Sequence, residues 1–517
     1  MAAMTKLRAR KCLLAVIMLM LLLGLCGAGG PLGCGNPVIV IPDAGLQAAI
    51  RQALNKLQGD IYVSELVWLR QLDATARGIQ DLTGLEYCTN LEALGLWDNQ
   101  ISDISPLAKL TSLTGLTLTE NQISDLSPLA HLTKLTQLSL GTNQITDVSP
   151  LANLTGLTAL RLEENQIGDI SSLASLTGLT ELSLGDNQIN DLSPLANLVH
   201  LTMLGLWANE ISNIFPLINL TTLTALDLSA NQISNTSPLA HLTNLAALSL
   251  ARNQVIDISP LTNLTSLTWL GLEYNQISDL SPLANLTSLV VLGLWANEIG
   301  DISPLVNLTN LTTLTLRANQ ISNIAPLANL TSLTTLSLSE NQISNISPLA
   351  NLTSLTELGL GDNQIIDISP LANLANLTNL SLWTNQINDM SCLTNLTRLK
   401  TLSLETNQIS DVSALSGLTD LRVIWLDNNN IADISALSGL NKIGEVDEAS
   451  WLDQREGTGI SLGLSDNRIA NIEALVANAG LSEGDGIDLR GNPLSSDSLN
   501  IYLPQLEQRG VIVLYGS

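Results

Sequence analysis

Residues 94–115 read LGLWDNQISDISPLAKLTSLTG. Two periods share this stretch. Leu94 and Leu96 alternate with their neighbours, the period of a strand with one buried side. Ser105-Pro106 offers a capping residue followed by the proline that opens a helix. Leu107 and Leu110 then stand three apart, which suits a single 3₁₀ turn. The stretch is expected to form a strand, a turn, a short 3₁₀ segment and a return.

The stretch is one of many. From Asn99 an asparagine recurs every 22 residues, sixteen times in all, through Asn121 and Asn143 to Asn407 and Asn429. Around each runs L-x-L-x-x-N-x-I-x-D-I-x-P-L-x-x-L. One unit holds too few apolar positions to offset the entropy of ordering its backbone. Stacked units that share a core and a strand ladder can fold, which predicts a solenoid of parallel strands. The asparagine follows the strand, where an amide that both donates and accepts can satisfy backbone groups between repeats. The column of Asp103, Asp125 and Asp147 reads as turn chemistry, and threonines such as Thr114, Thr136 and Thr158 as residues favoured beside strands.

The ends depart from the pattern. Residues 1–35 hold a basic start (Lys6, Arg8, Arg10, Lys11), an apolar run and small residues, and are expected to be a signal peptide with its linker. Cys26 and Cys34 each sit near a lipoprotein-like context, so a lipid anchor is the alternative to secretion. Residues 36–68 are expected to form a helical cap, with Asp43 capping a helix that places Leu46, Ile50, Leu54 and Leu57 on one face. Repeats are expected over 69–443, Arg77 standing in the first where asparagine is due. An insertion loop follows at 444–461, then irregular last repeats and a C-terminal cap at 462–517.

These motifs resemble the leucine-rich repeats of bacterial internalins over roughly residues 41–517. The resemblance implies an α/β leucine-rich-repeat solenoid, with a curved parallel β-sheet on its concave face, 3₁₀ segments on its convex face and helical caps. It also implies a concave face that binds another macromolecule, in internalins a host surface protein. Immunoglobulin-like, sortase and wall-binding segments of internalins are not seen in this sequence. The period also resembles that of cytosolic phosphatase-regulating repeat proteins, against which the signal peptide argues.

The composition narrows the partners. A formal net charge of −26 disfavours nucleic acid and anionic membranes and favours a basic protein partner. No cofactor or metal site is expected, and no enzyme: His131, His200 and His241 fall in separate return segments, and Cys88 and Cys392 replace repeat residues. A monomer without a membrane span in its mature form is expected. A self-associating envelope or surface-layer component is the alternative.

One feature points to a binding surface. The chain is 3% aromatic, yet LGLWANEI occurs at 204 and again at 292, with LSLWTNQI at 380. Strand alternation turns Trp97, Trp207, Trp295 and Trp383 outward, together with Trp269 and Trp425, onto the face made by all the strands. Trp269, Tyr274 and Trp295 fall on adjacent repeats and are expected to form one patch, with Glu273 and Glu298 as acidic neighbours. These nine residues are the expected partner-binding set, because exposed Trp is enriched at binding hot spots. Duplication in blocks of four repeats is the competing account of the 88-residue spacing. It leaves Trp269 and Trp425 unexplained.

Overall fold

The computed structural model describes residues 36–445 and 459–516. The expected signal segment, with Cys12, Cys26 and Cys34, lies outside the described residues, as do positions 446–458 of the expected insertion and Trp451. The chain divides into two compact units, Met1–Gly205 and Leu206–Ser517.

The first unit opens with a cap. β1 (Val38–Ile39) pairs antiparallel with β2 (Ile61–Tyr62), and helices α1 (Ala44–Ala53) and α2 (Val63–Leu66) complete it. Asp43 caps α1 through Leu46 N (2.9 Å) and, with its other oxygen, accepts from Gln80 N (2.9 Å) in the first repeat. Burial pushes the Asp43 carboxyl up, but these backbone donors outweigh it and hold it below the ordinary value. Leu46 and Ile50 are buried as expected. Leu57 is not: it is 88% exposed, because α1 ends at Ala53 and Asn55 takes a left-handed conformation (φ 51°). Strands β3 (Gln71–Asp73) to β9 (Met203–Gly205) then pair in parallel, leucine beside leucine from Leu72 to Leu204.

The second unit repeats the arrangement from β10 (Ala225–Asp227) to β19 (Val423–Trp425). β20 (Ile460–Gly463), α3 (Glu473–Ala477), β21 (Gly486–Asp488), α4 (Leu503–Gln508) and β22 (Ile512–Leu514) follow. A helix and a final strand thus close the second unit, as the sequence suggests. In both units the strand leucines and the Ile and Leu of the return segments are almost wholly buried, so each repeat covers its neighbour's core.

The polar columns have structural roles. Asn275 Nδ2 donates to Leu272 O (3.0 Å) in its own repeat and to Leu250 O (2.9 Å) in the preceding one, and its Oδ1 accepts from Val255 N (2.9 Å). The same set recurs at Asn121, Asn165 and Asn341. Thr114, Thr136 and Thr158 donate their hydroxyls to backbone carbonyls of the preceding repeat. The aspartate column caps the 3₁₀ segments, a correction to the role expected of Ser105. Asp103 Oδ1 accepts from Ser105 N at 2.8 Å, and Ser105 itself lies inside the segment Ser105–Lys109. Backbone and hydroxyl donors of the serine two residues on hold carboxyls such as Asp125, Asp301 and Asp411 below the ordinary value.

The residue before each asparagine has positive φ, from Asp98 (53°) to Asn428 (55°). Aspartate, glutamate, alanine, threonine, arginine and tyrosine all occupy this position. The turn is therefore imposed by the ladder: the residue's N–H reaches into the next repeat, as Tyr274 N does to Trp295 O (2.7 Å).

Candidate binding face

The outward columns of β11 (Ala247–Ser249), β12 (Trp269–Gly271), β13 (Val291–Gly293), β14 (Thr313–Thr315) and β15 (Thr335–Ser337) carry the site. Leu270 and Leu292 point inward and are buried; Trp269 and Trp295 point outward and are half-buried. The strand register read from the sequence therefore holds here.

The side chains form one row. The Arg252 guanidinium lies over the Tyr274 ring, 4.5 Å from its centre. Tyr274 packs against Trp295, ring centres 4.8 Å apart and tilted by 53°. Arg317 lies over the other ring of the pair, 5.3 Å from the Trp295 centre, and donates to Glu340 Oε1 through Nε (2.9 Å) and Nη2 (2.5 Å). Each link joins adjacent repeats, so the row spans five. Cation–π contacts of this kind contribute about 0.5–1 kcal/mol each at exposed sites, and they fix the ring planes. The left-handed turn at Tyr274 (φ 54°) is costly for a bulky residue and brings its ring to Trp295.

Trp269 and Glu273 occupy the floor beside this row. Gly271 and Gly293 leave the strand backbone bare, and both side chains lie on it. A Cβ at Gly271 would stand 2.8 Å from the Trp269 ring and 3.0 Å from Glu273 Oε2, and one at Gly293 would collide with the Glu273 carboxylate. Glu273 Oε2 is shielded from solvent with no hydrogen-bond donor among the described residues. Burial raises the Glu273 carboxyl above the ordinary value.

The remaining expected residues are dispersed. Trp97, Trp207 and Trp383 are half-buried on their strand faces, and the Trp383 ring occupies the space a Cβ at Gly361 would take. Glu298 is exposed but follows Asn297, beyond the strand, in the position of Gln276 and Gln320. Trp425 corrects the expectation of exposure. It is 3% exposed, Val423 and Asp427 beside it are buried too, and its Nε1 donates to Ile460 O at 3.4 Å. The outward side of β19 is a covered surface, so this Trp is packing. Trp269 joins the patch through the strand floor and makes no ring contact with Tyr274 or Trp295 among the described residues. Arg252 and Arg317, legible in the sequence only as basic residues of this face, are the members that the expected binding set left out. The signal was there: each stands one 22-residue period from the aromatic it covers.

The leucine columns, the asparagine ladder and the 3₁₀ returns identify the architecture, and the sequence model for leucine-rich repeats (two copies per match) fits residues 89–153, 155–197, 265–395 and 397–439. The chain belongs to the leucine-rich repeat family. Its sequence is similar to an internalin of Listeria monocytogenes, with 37% identity over 69% of this chain and 94% of that one and a TM-score of 0.48. A leucine-rich repeat protein of Leptospira interrogans has a TM-score of 0.66 and 24% identity over 75% of this chain and 98% of that one. The ectodomain of the Arabidopsis receptor kinase HAESA, solved with a peptide hormone ligand, has a TM-score of 0.65 and 24% identity over 82% of this chain and 74% of that one. Comparison with curated proteins returns no match.

Neither described thiol is poised for chemistry. Burial, helped by Glu86, pushes Cys88 up to about 12. Burial and then the charges of Asp389 and Asp367 push Cys392 to about 11, and its Sγ donates to Ile368 O at 3.1 Å. No helix among the described residues is long and apolar enough to cross a membrane.

Proposed function

We propose that this leucine-rich repeat protein is an exported, non-catalytic binding or adhesion protein that engages a protein partner, secreted or at the cell surface. Its partner face is the strand face of β11–β15. The observation that carries this reading is the row from Arg252 to Glu340. Five adjacent repeats place arginine, tyrosine, tryptophan, arginine and glutamate in contact across strands. Tyr, Trp and Arg dominate binding hot spots, where rigid rings present area with little entropy left to lose. The peptide held by the HAESA ectodomain and the internalin-like sequence of the repeats support a protein partner. The net charge of −26 favours a basic one.

The test is a pull-down with the purified chain as bait, run beside the Trp269→Ala/Trp295→Ala double variant. Circular dichroism first establishes that the variant is folded. A partner bound by the parent and weakened by about 2 kcal/mol or more in the variant supports the reading. A partner that binds both equally removes the strand face of β11–β15 as its site.

A further inference from the structure

We propose that Glu273 is the seat for a cationic side chain, Lys or Arg, of the protein docked on the Trp269–Trp295 face. The inference rests on the binding reading above and adds the chemistry of its anchor. The geometry is that of a charge the fold does not use. The Glu273 carboxylate lies on the bare backbone of Gly271 and Gly293, beside the Trp269 ring, with Oε2 shielded and without a donor among the described residues. Its residue is still partly open to solvent. The guanidinium groups of Arg252 and Arg317 stand one and two repeats away, yet among the described residues neither is bonded to it. Arg317 is engaged by Glu340 and Trp295, and Arg252 lies on Tyr274.

A carboxylate that is already desolvated in the free protein has incurred that penalty on folding. An incoming ammonium or guanidinium then gains the Coulomb attraction of the carboxylate while only its own water is stripped. The Trp269 ring beside it accepts the apolar stem of such a side chain. The acidic character of the whole chain draws the same class of partner from a distance.

The probes are capped single residues: N-acetyl-lysine methylamide, with the norleucine and glutamate analogues as controls. The readout is the indole N–H resonances of Trp269 and Trp295 in the full chain. The lysine probe is expected to shift both saturably. Its affinity should fall about tenfold or more in Glu273→Gln, the scale for losing one partner of a close charge pair. Norleucine should bind the parent as weakly as lysine binds that variant. Glu163→Gln, on a different strand face, should leave the lysine response unchanged. Unfolding of Glu273→Gln, followed alongside, should occur at or above the parent's midpoint, so a lost response is not lost fold. Equal responses to lysine and norleucine, a response retained in Glu273→Gln, a preference for glutamate, or no response to any probe each overturns the cation seat. A protein partner lost with the tryptophan pair but retained by Glu273→Gln overturns the seat alone and leaves the binding face standing.

Discussion

The strand face of β6 (Gln137–Ser139), β7 (Ala159–Arg161) and β8 (Glu181–Ser183) differs from that of β11–β15 only in what points outward. Both have the same buried leucines and the same asparagine ladder. Both even contain a carboxylate laid on a glycine. Glu163 rests over Gly141 with Oε2 shielded and without a partner among the described residues, as Glu273 rests over Gly293. Around Glu163, however, the outward positions hold Gln137, Ser139, Ala159 and Ser183, and Arg161 pairs with Glu181 at 3.4 Å. No ring stands in these three repeats. A carboxylate resting on bare backbone is therefore a by-product of the repeat. The aromatic–arginine row is what makes one of the two a candidate site.

If that contrast is right, the inward columns should be equivalent. Leu270→Ala and Leu160→Ala should each cost about 2–5 kcal/mol, measured by chemical denaturation with hydrogen exchange to localise the loss. Trp269→Ala, one residue from Leu270, removes a half-buried ring from the opposite side and should cost distinctly less. Equal losses at 269 and 270 would mean that the ring belongs to the core and the outward face has been misplaced.

A smaller effect tests the ladder. Asn275→Ala leaves Val255 N without its acceptor, and Asn165→Ala does the same to Ile145 N. Each should destabilise its unit by about 1–3 kcal/mol, with faster exchange at that amide. A marked difference between the two would show that the outward side chains contribute to the ladder.

The smallest expected effect has a pH signature. The folded-state value of Glu273 lies above the ordinary one, so its ionised form is disfavoured by the fold. Its contribution is most favourable below the unfolded value and worsens as pH rises through the folded one. Glu273→Gln should therefore stabilise the protein near neutral pH, by at most about 1 kcal/mol for a half-buried group. The gain should disappear in acid. Melting curves of Glu273→Gln across that range check it, and a gain that grew in acid would contradict the burial of Oε2.

Much of this was legible in the chain. A period of 22 fixes strand, turn and 3₁₀ return, and alternation fixes which side of Leu270 the ring of Trp269 takes. The amide logic of Asn99 follows from its place after a strand. The left-handed residue before each asparagine was not legible, because a ladder that imposes a backbone angle needs no glycine there, and tyrosine or glutamate serves. Trp425 was misread for a related reason. Alternation says which way a side chain points but not what lies against it. The burial of Val423 and Asp427 beside it is a tertiary fact. Arg252 and Arg317 were visible as charges on the face. Their contacts with rings one repeat away appear only when the strands are laid side by side.

The asparagine ladder has a consequence for inheritance. Within each unit the amides reach the backbone of the adjoining repeat and their own, as Asn275 and Asn165 do. The seams inside each unit are thus chemically alike, and a gene can gain or lose whole repeats there by unequal recombination with none of them made worse. The row from Arg252 to Glu340 obeys a stricter rule. It is written across five consecutive repeats, so a breakpoint inside it scatters residues that work only as neighbours, while one outside carries it along intact. Natural length variants of this chain should accordingly break anywhere but there.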